Sequence, residues 1–97
     1  MLHINANETG PALRMPWRNG IAVGRAAELL RCDLLDHLRR VQNELGFRYC
    51  RFHGLFHDDM AVALRRPDGR LAFQWRQVDQ VFNSLLELGL RPFVELG

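Results

Sequence analysis

The chain has 97 residues, 47% hydrophobic and 25% charged, and its 13 basic against 11 acidic residues leave a net charge of +2. That balance excludes a strongly basic, nucleic-acid-binding surface, and the apolar content excludes a disordered tail. Crossing a bilayer takes about 20 consecutive apolar residues, a run the sequence nowhere contains, so neither nucleic acid nor membrane is an expected partner.

Residues 1–24 hold Gly10, Pro11, Pro16, Gly20 and Gly24 among few periodic apolar positions. They read as a loop-rich lead-in with room for a short strand. From Arg25 the pattern changes. Leu30, Leu34, Leu38, Val41 and Leu45 fall on one stripe, which predicts a helix over 25–45 with Gly46 as its C-terminal cap. The aromatic-rich run from Phe47 to His53 has no such stripe and predicts a strand ending at Gly54. Val78, Val81, Phe82, Leu85 and Leu88 predict a second helix over 75–88, capped by Gly89, and Arg91–Leu96 a second strand whose Pro92 is tolerable near the first position. Cys32 and Cys50 sit where a small buried hydrophobe would serve and read as reduced thiols. Residues 1–5 lack the basic and apolar regions of a secretory signal, so a cytoplasmic location is the default expectation.

An internal echo organises these elements. Glu44-Leu45-Gly46-Phe47-Arg48 recurs as Glu87-Leu88-Gly89-Leu90-Arg91, and Gly54 recurs as Gly97 at the same offset. Strands joined through an intervening helix run parallel, the unit of a doubly wound sheet or a (β/α)8 barrel. Two strands and two helices cannot cover a parallel sheet on both faces. Residues 25–97 therefore read as the opening helix-strand-helix-strand portion of a larger α/β protein. The alternative is a small α+β domain completed by dimerisation.

The connection from Gly54 to Phe73, about 20 residues, is far longer than such turns usually are. It leaves the carboxyl end of a parallel strand, where ligands bind in α/β sheets and barrels. His53, His57, Asp58 and Asp59 are therefore on the side of a site. His53 could hydrogen-bond a substrate hydroxyl or act as acid or base near neutrality, or it could be a core histidine satisfied by a carbonyl. The four have the donor types of a metal site, but their spacing matches no ligand pattern, and no metal is expected. Adjacent Asp58 and Asp59 would face opposite ways in an extended segment, and their expected work is capping or fixing the loop. Tyr49, Arg51 and His53 share one side of their strand, and Arg51 there needs a partner; Glu95, near the end of the second strand, is a second site candidate, as often paired with an arginine such as Arg51 as catalytic. Phe73 and Trp75 either form a sugar-stacking surface or, the favoured reading, staple the second helix. Pro67-Asp68-Gly69 reads as a turn. Gly24-Arg25-Ala26 lacks the glycine spacing of a nucleotide-binding loop, and no cofactor is expected.

Six blocks in order then carry a resemblance: Gly24-Arg25-Ala26; Arg40-Val41-Gln42-Asn43-Glu44-Leu45-Gly46-Phe47; Arg51-Phe52-His53-Gly54-Leu55; Asp58-Asp59-Met60; Val78-Asp79; and Pro92-Phe93-Val94-Glu95-Leu96-Gly97. Together they resemble the N-terminal region of glycoside hydrolase family 39 β-xylosidases. The resemblance implies the opening βαβ portion of a (β/α)8 TIM barrel, and a retaining enzyme that releases β-linked xylose from xylo-oligosaccharides. It also implies a homo-oligomer. Its catalytic glutamates lie on later strands than any here, so no catalytic residue is assigned and this chain alone is expected to be inactive. What carries over is His53, in the Arg-x-His-Gly block, as a substrate-binding residue for xylose hydroxyls. The alternative is a shortened, non-catalytic barrel module that self-associates through an open strand edge.

Overall fold

In the computed structural model, which describes residues 1–97, residues 1–15 are exposed and form no helix or strand. A 3-10 turn at Pro16–Asn19 leads into β1 (Gly20–Arg25). Then follow α1 (Cys32–Glu44), β2 (Tyr49–His53), β3 (Ala63–Arg65), β4 (Leu71–Phe73), α2 (Arg76–Glu87) and β5 (Arg91–Val94). β1, β2 and β5 form one sheet with β2 at its centre, parallel throughout, while β3 and β4 pair as a separate antiparallel hairpin.

The helix predicted over 25–45 is shorter, and β1 lies inside and at the edge of the segment read as a lead-in. Residues Ala26–Leu30 instead form a 3-10 turn. Its two wholly buried residues, Ala26 and Leu29, are three apart, the period at which 3-10 side chains align. Arg31 then turns extended (φ −86°, ψ 130°) and breaks the helical path. α1 starts beyond it at Cys32, and in its first turn the Asp33 carboxylate accepts the Leu34 N–H at 3.0 Å and pairs with Arg31 at 2.6 Å. The hydrogen bond from Arg31 holds the Asp33 carboxyl below its ordinary value. Gly46 (φ +69°) and Gly89 (φ +76°) both adopt the left-handed conformation that the predicted caps require.

One core lies on one face of the sheet. Cys50 and Phe52 of β2 meet Leu38 of α1 and Val78, Val81 and Leu85 of α2, with Leu55, Met60 and Val62 added from the long connection. The other face, carrying Arg51, His53, Phe93 and Glu95, is open. Both helices thus serve the same face, as in a barrel wall and unlike a doubly wound sheet, which has helices on both. Gln42 joins the two halves. Its amide accepts the Phe47 N–H at 2.6 Å and donates to the carbonyls of Phe47 at 3.0 Å and Leu88 at 3.1 Å. Both cysteines are free. Cys50 is buried, and that burial pushes its thiol up to about 11, so it stays protonated. Cys32 is exposed at the first residue of α1, and not the buried position expected, because the helix begins there and turns its first residue to solvent.

Gly54, directly after β2, is buried at φ +71°. A Cβ there would lie 3.5 Å from the His57 ring and 3.9 Å from Arg25, ordinary contact distances. The penalty for Gly54→Ala is therefore conformational, about 1–2 kcal/mol, less about 0.4–1 kcal/mol from alanine's lower unfolded-state entropy. A net loss of about 1 kcal/mol is expected in thermal unfolding. A variant as stable as the parent would show that this turn does not require the left-handed conformation.

Candidate functional site

Parallel strands deliver their carboxyl ends to one rim of the sheet, and β2 and β5 place there the residues that the sequence singled out. The predicted alternation holds: along β2, Cys50 and Phe52 are buried while Arg51 and His53 are exposed. His53 is thus not a core histidine. A cavity of about 220 Å³ brings His53 together with Arg51 and Glu95, floored by Ala22, Val23 and Phe52. The expected partner for Arg51 is the observed one, its Nη2 donating to Glu95 Oε2 at 2.9 Å. Both side chains are at least half exposed, so the pair adds little to stability. Its effect is positional, fixing a guanidinium and a carboxylate beside the imidazole.

Arg25, marked in the sequence only as part of the Gly24-Arg25-Ala26 block and given no role there, organises the start of the long connection. Its Nη2 lies 2.6 Å from His57 Nδ1 and 3.0 Å from Asp59 Oδ2. Arginine only donates, so His57 Nδ1 accepts. The signal available for Arg25 was its place at the end of β1, in register with His53. His53, His57, Asp58 and Asp59 are accordingly not gathered around a common point: His57 and Asp59 are tied to a cation, and no group of three His, Cys, Asp or Glu is placed to hold a metal ion. The 3-10 turn Asp58–Met60 has no side-chain cap. Loop fixing is done by Asp59 through Arg25, and capping by neither aspartate.

The rest of the connection, read from sequence as a loop, carries the β3–β4 hairpin. Its tip is the predicted Pro67-Asp68-Gly69 turn, with Gly69 at φ +85° and Asp68 Oδ1 accepting the Arg70 N–H at 3.0 Å. Phe73 and Trp75 do not staple α2. They are 60% and 50% exposed, because Gln74 between them points inward, donating to the carbonyls of Met60 at 3.2 Å and Ala61 at 2.8 Å.

A parallel α/β sheet with its helices on one face and imidazole, guanidinium and carboxylate at the carboxyl rim has its polar side chains at the end of the strands where α/β proteins bind ligands. The comparisons with known proteins give the family. The family described as glycosyl hydrolases family 39 matches residues 1–97 in full, and the chain belongs to that family. It is 41% identical over 81 residues to a β-xylosidase of Caldicellulosiruptor saccharolyticus and 37% identical over 84 residues to one of Geobacillus stearothermophilus. These matches cover 84% of this chain but 17% of each relative, so the chain spans less than a fifth of their length. Among solved structures it is similar to a GH39 β-xylosidase of Caulobacter crescentus, with a TM-score of 0.77 and 38% identity over 82% of this chain and 18% of that one. A GH39 enzyme of Xanthomonas axonopodis pv. citri gives a TM-score of 0.76 and 40% identity over 82% of this chain and 16% of that one.

Proposed function

We propose that these residues form the first strands of the (β/α)8 barrel of a retaining β-xylosidase, and that His53 binds a hydroxyl of the terminal xylose. The observation that carries the reading is the cavity joining His53 to the Arg51–Glu95 pair at the carboxyl rim of a parallel sheet, in a chain whose family relatives are named β-xylosidases. On this reading the remaining strands of the barrel add at the outer edges of β1 and β5, each paired only to β2, and the helix-free face lines the barrel interior. Retaining hydrolysis needs two carboxyl groups about 5–5.5 Å apart. At this rim Glu95 is engaged by Arg51 and Asp59 by Arg25. On this reading the chain contributes sugar binding, and the carboxyl groups of the displacement chemistry come from outside these residues. The two free thiols support a cytoplasmic location, and the reading includes a homo-oligomeric enzyme.

The test is His53→Ala in the polypeptide that carries this chain, assayed on an aryl β-xyloside. One neutral hydrogen bond to substrate corresponds to about a tenfold rise in KM. Unchanged kinetics would remove His53 from the site.

A further inference from the structure

His57 is a titratable group that the His53 cavity does not use, and it sits against the turn that follows His53. Gly54 comes directly after His53 at φ +71°. Its carbonyl accepts the His57 N–H at 3.2 Å, and its own N–H donates to the Gly97 carbonyl at 3.2 Å. The His57 ring and the stem of Arg25 both face Gly54, where a Cβ would lie 3.5 Å from His57 Cδ2 and 3.9 Å from Cβ and Cγ of Arg25. Arg25 is also paired in register with His53 across β1 and β2, so its side chain runs from beside His53, past Gly54, to the ring beyond. These contacts are all made between residues of this chain, across two strands already paired, and owe nothing to an uncovered face.

Arg25 Nη2 has two hydrogens and two acceptors, His57 Nδ1 at 2.6 Å and Asp59 Oδ2 at 3.0 Å, while its Nε is buried without a partner. Because arginine keeps its charge and only donates, Nδ1 must hold a lone pair, and His57 is the neutral ring with its proton on Nε2. A second proton removes that lone pair and sets a second cation against the guanidinium. The charges around this corner do not restore the contact. Asp59 stays on Arg25, Asp58 precedes it in the same turn, and Glu28 of the turn at 26–30 lays its carboxylate against Gly24. α2 presents the uncharged Gln77 amide to the Asp59 and Met60 carbonyls, Glu95 is taken by Arg51, and His53 is the other imidazole nearby. The carboxylates can offset the charge of an imidazolium, but none returns its ring to a place against an arginine.

We propose that Arg25 is a positioning residue for His53, acting through the Gly54 turn, and that His57 makes this positioning acid-sensitive: the neutral ring latches the turn to Arg25, and the protonated ring releases it. The consequence for sugar binding rests on the xylosidase reading above; the latch itself does not. An imidazole ordinarily gains its proton as pH falls through about 6.5, so the latch is closed at neutral pH and above and opens in mild acid.

The experiment compares the polypeptide carrying this chain with its His57→Asn variant, whose Oδ1 stands as many bonds from the backbone as Nδ1, accepts from Arg25 and takes up no proton. Methyl β-xyloside is titrated calorimetrically at about pH 8 and about pH 5. Titration of His53 and of carboxyl groups elsewhere is common to both proteins and cancels in the comparison. The parent is expected to lose about five- to tenfold more affinity between the two pH values than His57→Asn does, the upper figure being the worth of one hydrogen bond from His53. Arg25→Met, which keeps the stem and removes the donors, is expected to lose that same factor already at about pH 8, and parental affinity in this variant overturns the role of Arg25. Hydrogen exchange at the Met60 amide, which donates to the His57 carbonyl at 2.9 Å, follows the latch without any ligand. Its protection, corrected for intrinsic rates, is expected to fall in acid in the parent and not in His57→Asn. The same pH dependence of protection in both proteins overturns the latch. Protection that differs as expected beside affinities that do not would detach the latch from His53 and overturn the positioning. An acid-sensitive amide in a parent that binds no xyloside at either pH would remove the xylosidase reading and leave the latch standing.

Discussion

Phe52→Ala is expected to lower unfolding free energy by about 3–5 kcal/mol, a large share of the total for a domain this size. Phe52 is 1% exposed in the central strand of the sheet, and its ring packs against Phe82 of α2 at 6.4 Å and 57°. Strand and helix on either side are hydrogen-bonded in place, so the space left by the ring cannot close, and the cavity adds its cost to the lost transfer energy. Phe93 supplies the internal comparison. It lies in β5 on the open face and is 57% exposed, so in this chain by itself, with no further strands over that face, Phe93→Ala is expected to change stability by no more than about 0.5 kcal/mol. Urea denaturation of both variants, with midpoints compared at equal slope, checks the pair. Similar losses at the two positions would show that the helices do not favour one face of the sheet.

The contrast between those two phenylalanines marks what the sequence made legible. Period-2 alternation in β2 was readable because the strand has one buried and one open face, and it put Tyr49, Arg51 and His53 on one side; Glu95 entered only as a site candidate or a partner for Arg51. The glycine caps were readable because a helix followed by a strand needs a left-handed residue between them, at Gly46 as at Gly89. β1 was harder. Its glycines at both 20 and 24 looked like loop punctuation, although Ile21 and Val23 do alternate inward. The start of α1 was lost to a coincidence of periods: Ala26, Leu29 and Leu30 suit an α stripe and a 3-10 turn alike, and what separates them is the extended Arg31, which no local propensity announces. The hairpin escaped because its strands are three residues each and face solvent on both sides, so they carry almost no burial pattern. Arg25 and the outward turn of Trp75 depend on partners 32 and 13–14 residues away in sequence, for Arg25 and Gln74 respectively. Contacts of that range come from the fold and are not written in any window of the chain.

Met60 tests whether the long connection is mounted on the core or merely attached to it. It is wholly buried although it lies in a 3-10 turn of three residues, Asp58–Met60, within a segment whose other members are mostly exposed. It belongs to the same cluster of 12 buried residues as Val81 and Leu85 of α2. Met60→Ala is expected to cost about 2–5 kcal/mol. The loss reaches the rim as well, because the carbonyls of Met60 and Ala61 are the acceptors that hold Gln74 inward. When the turn loosens, the hairpin loses its anchor, and the exposed Arg70 next to Leu71 becomes a faster site for trypsin than the helical Arg39 and Arg40. Both readouts are needed. A fall in the denaturation midpoint with cleavage accelerated first at the hairpin places Met60 as the pin of the connection. A stability change under about 0.5 kcal/mol, with cleavage at Arg70 unaltered, would mean that the hairpin is held by Gln74 and Val62 without the Met60 side chain.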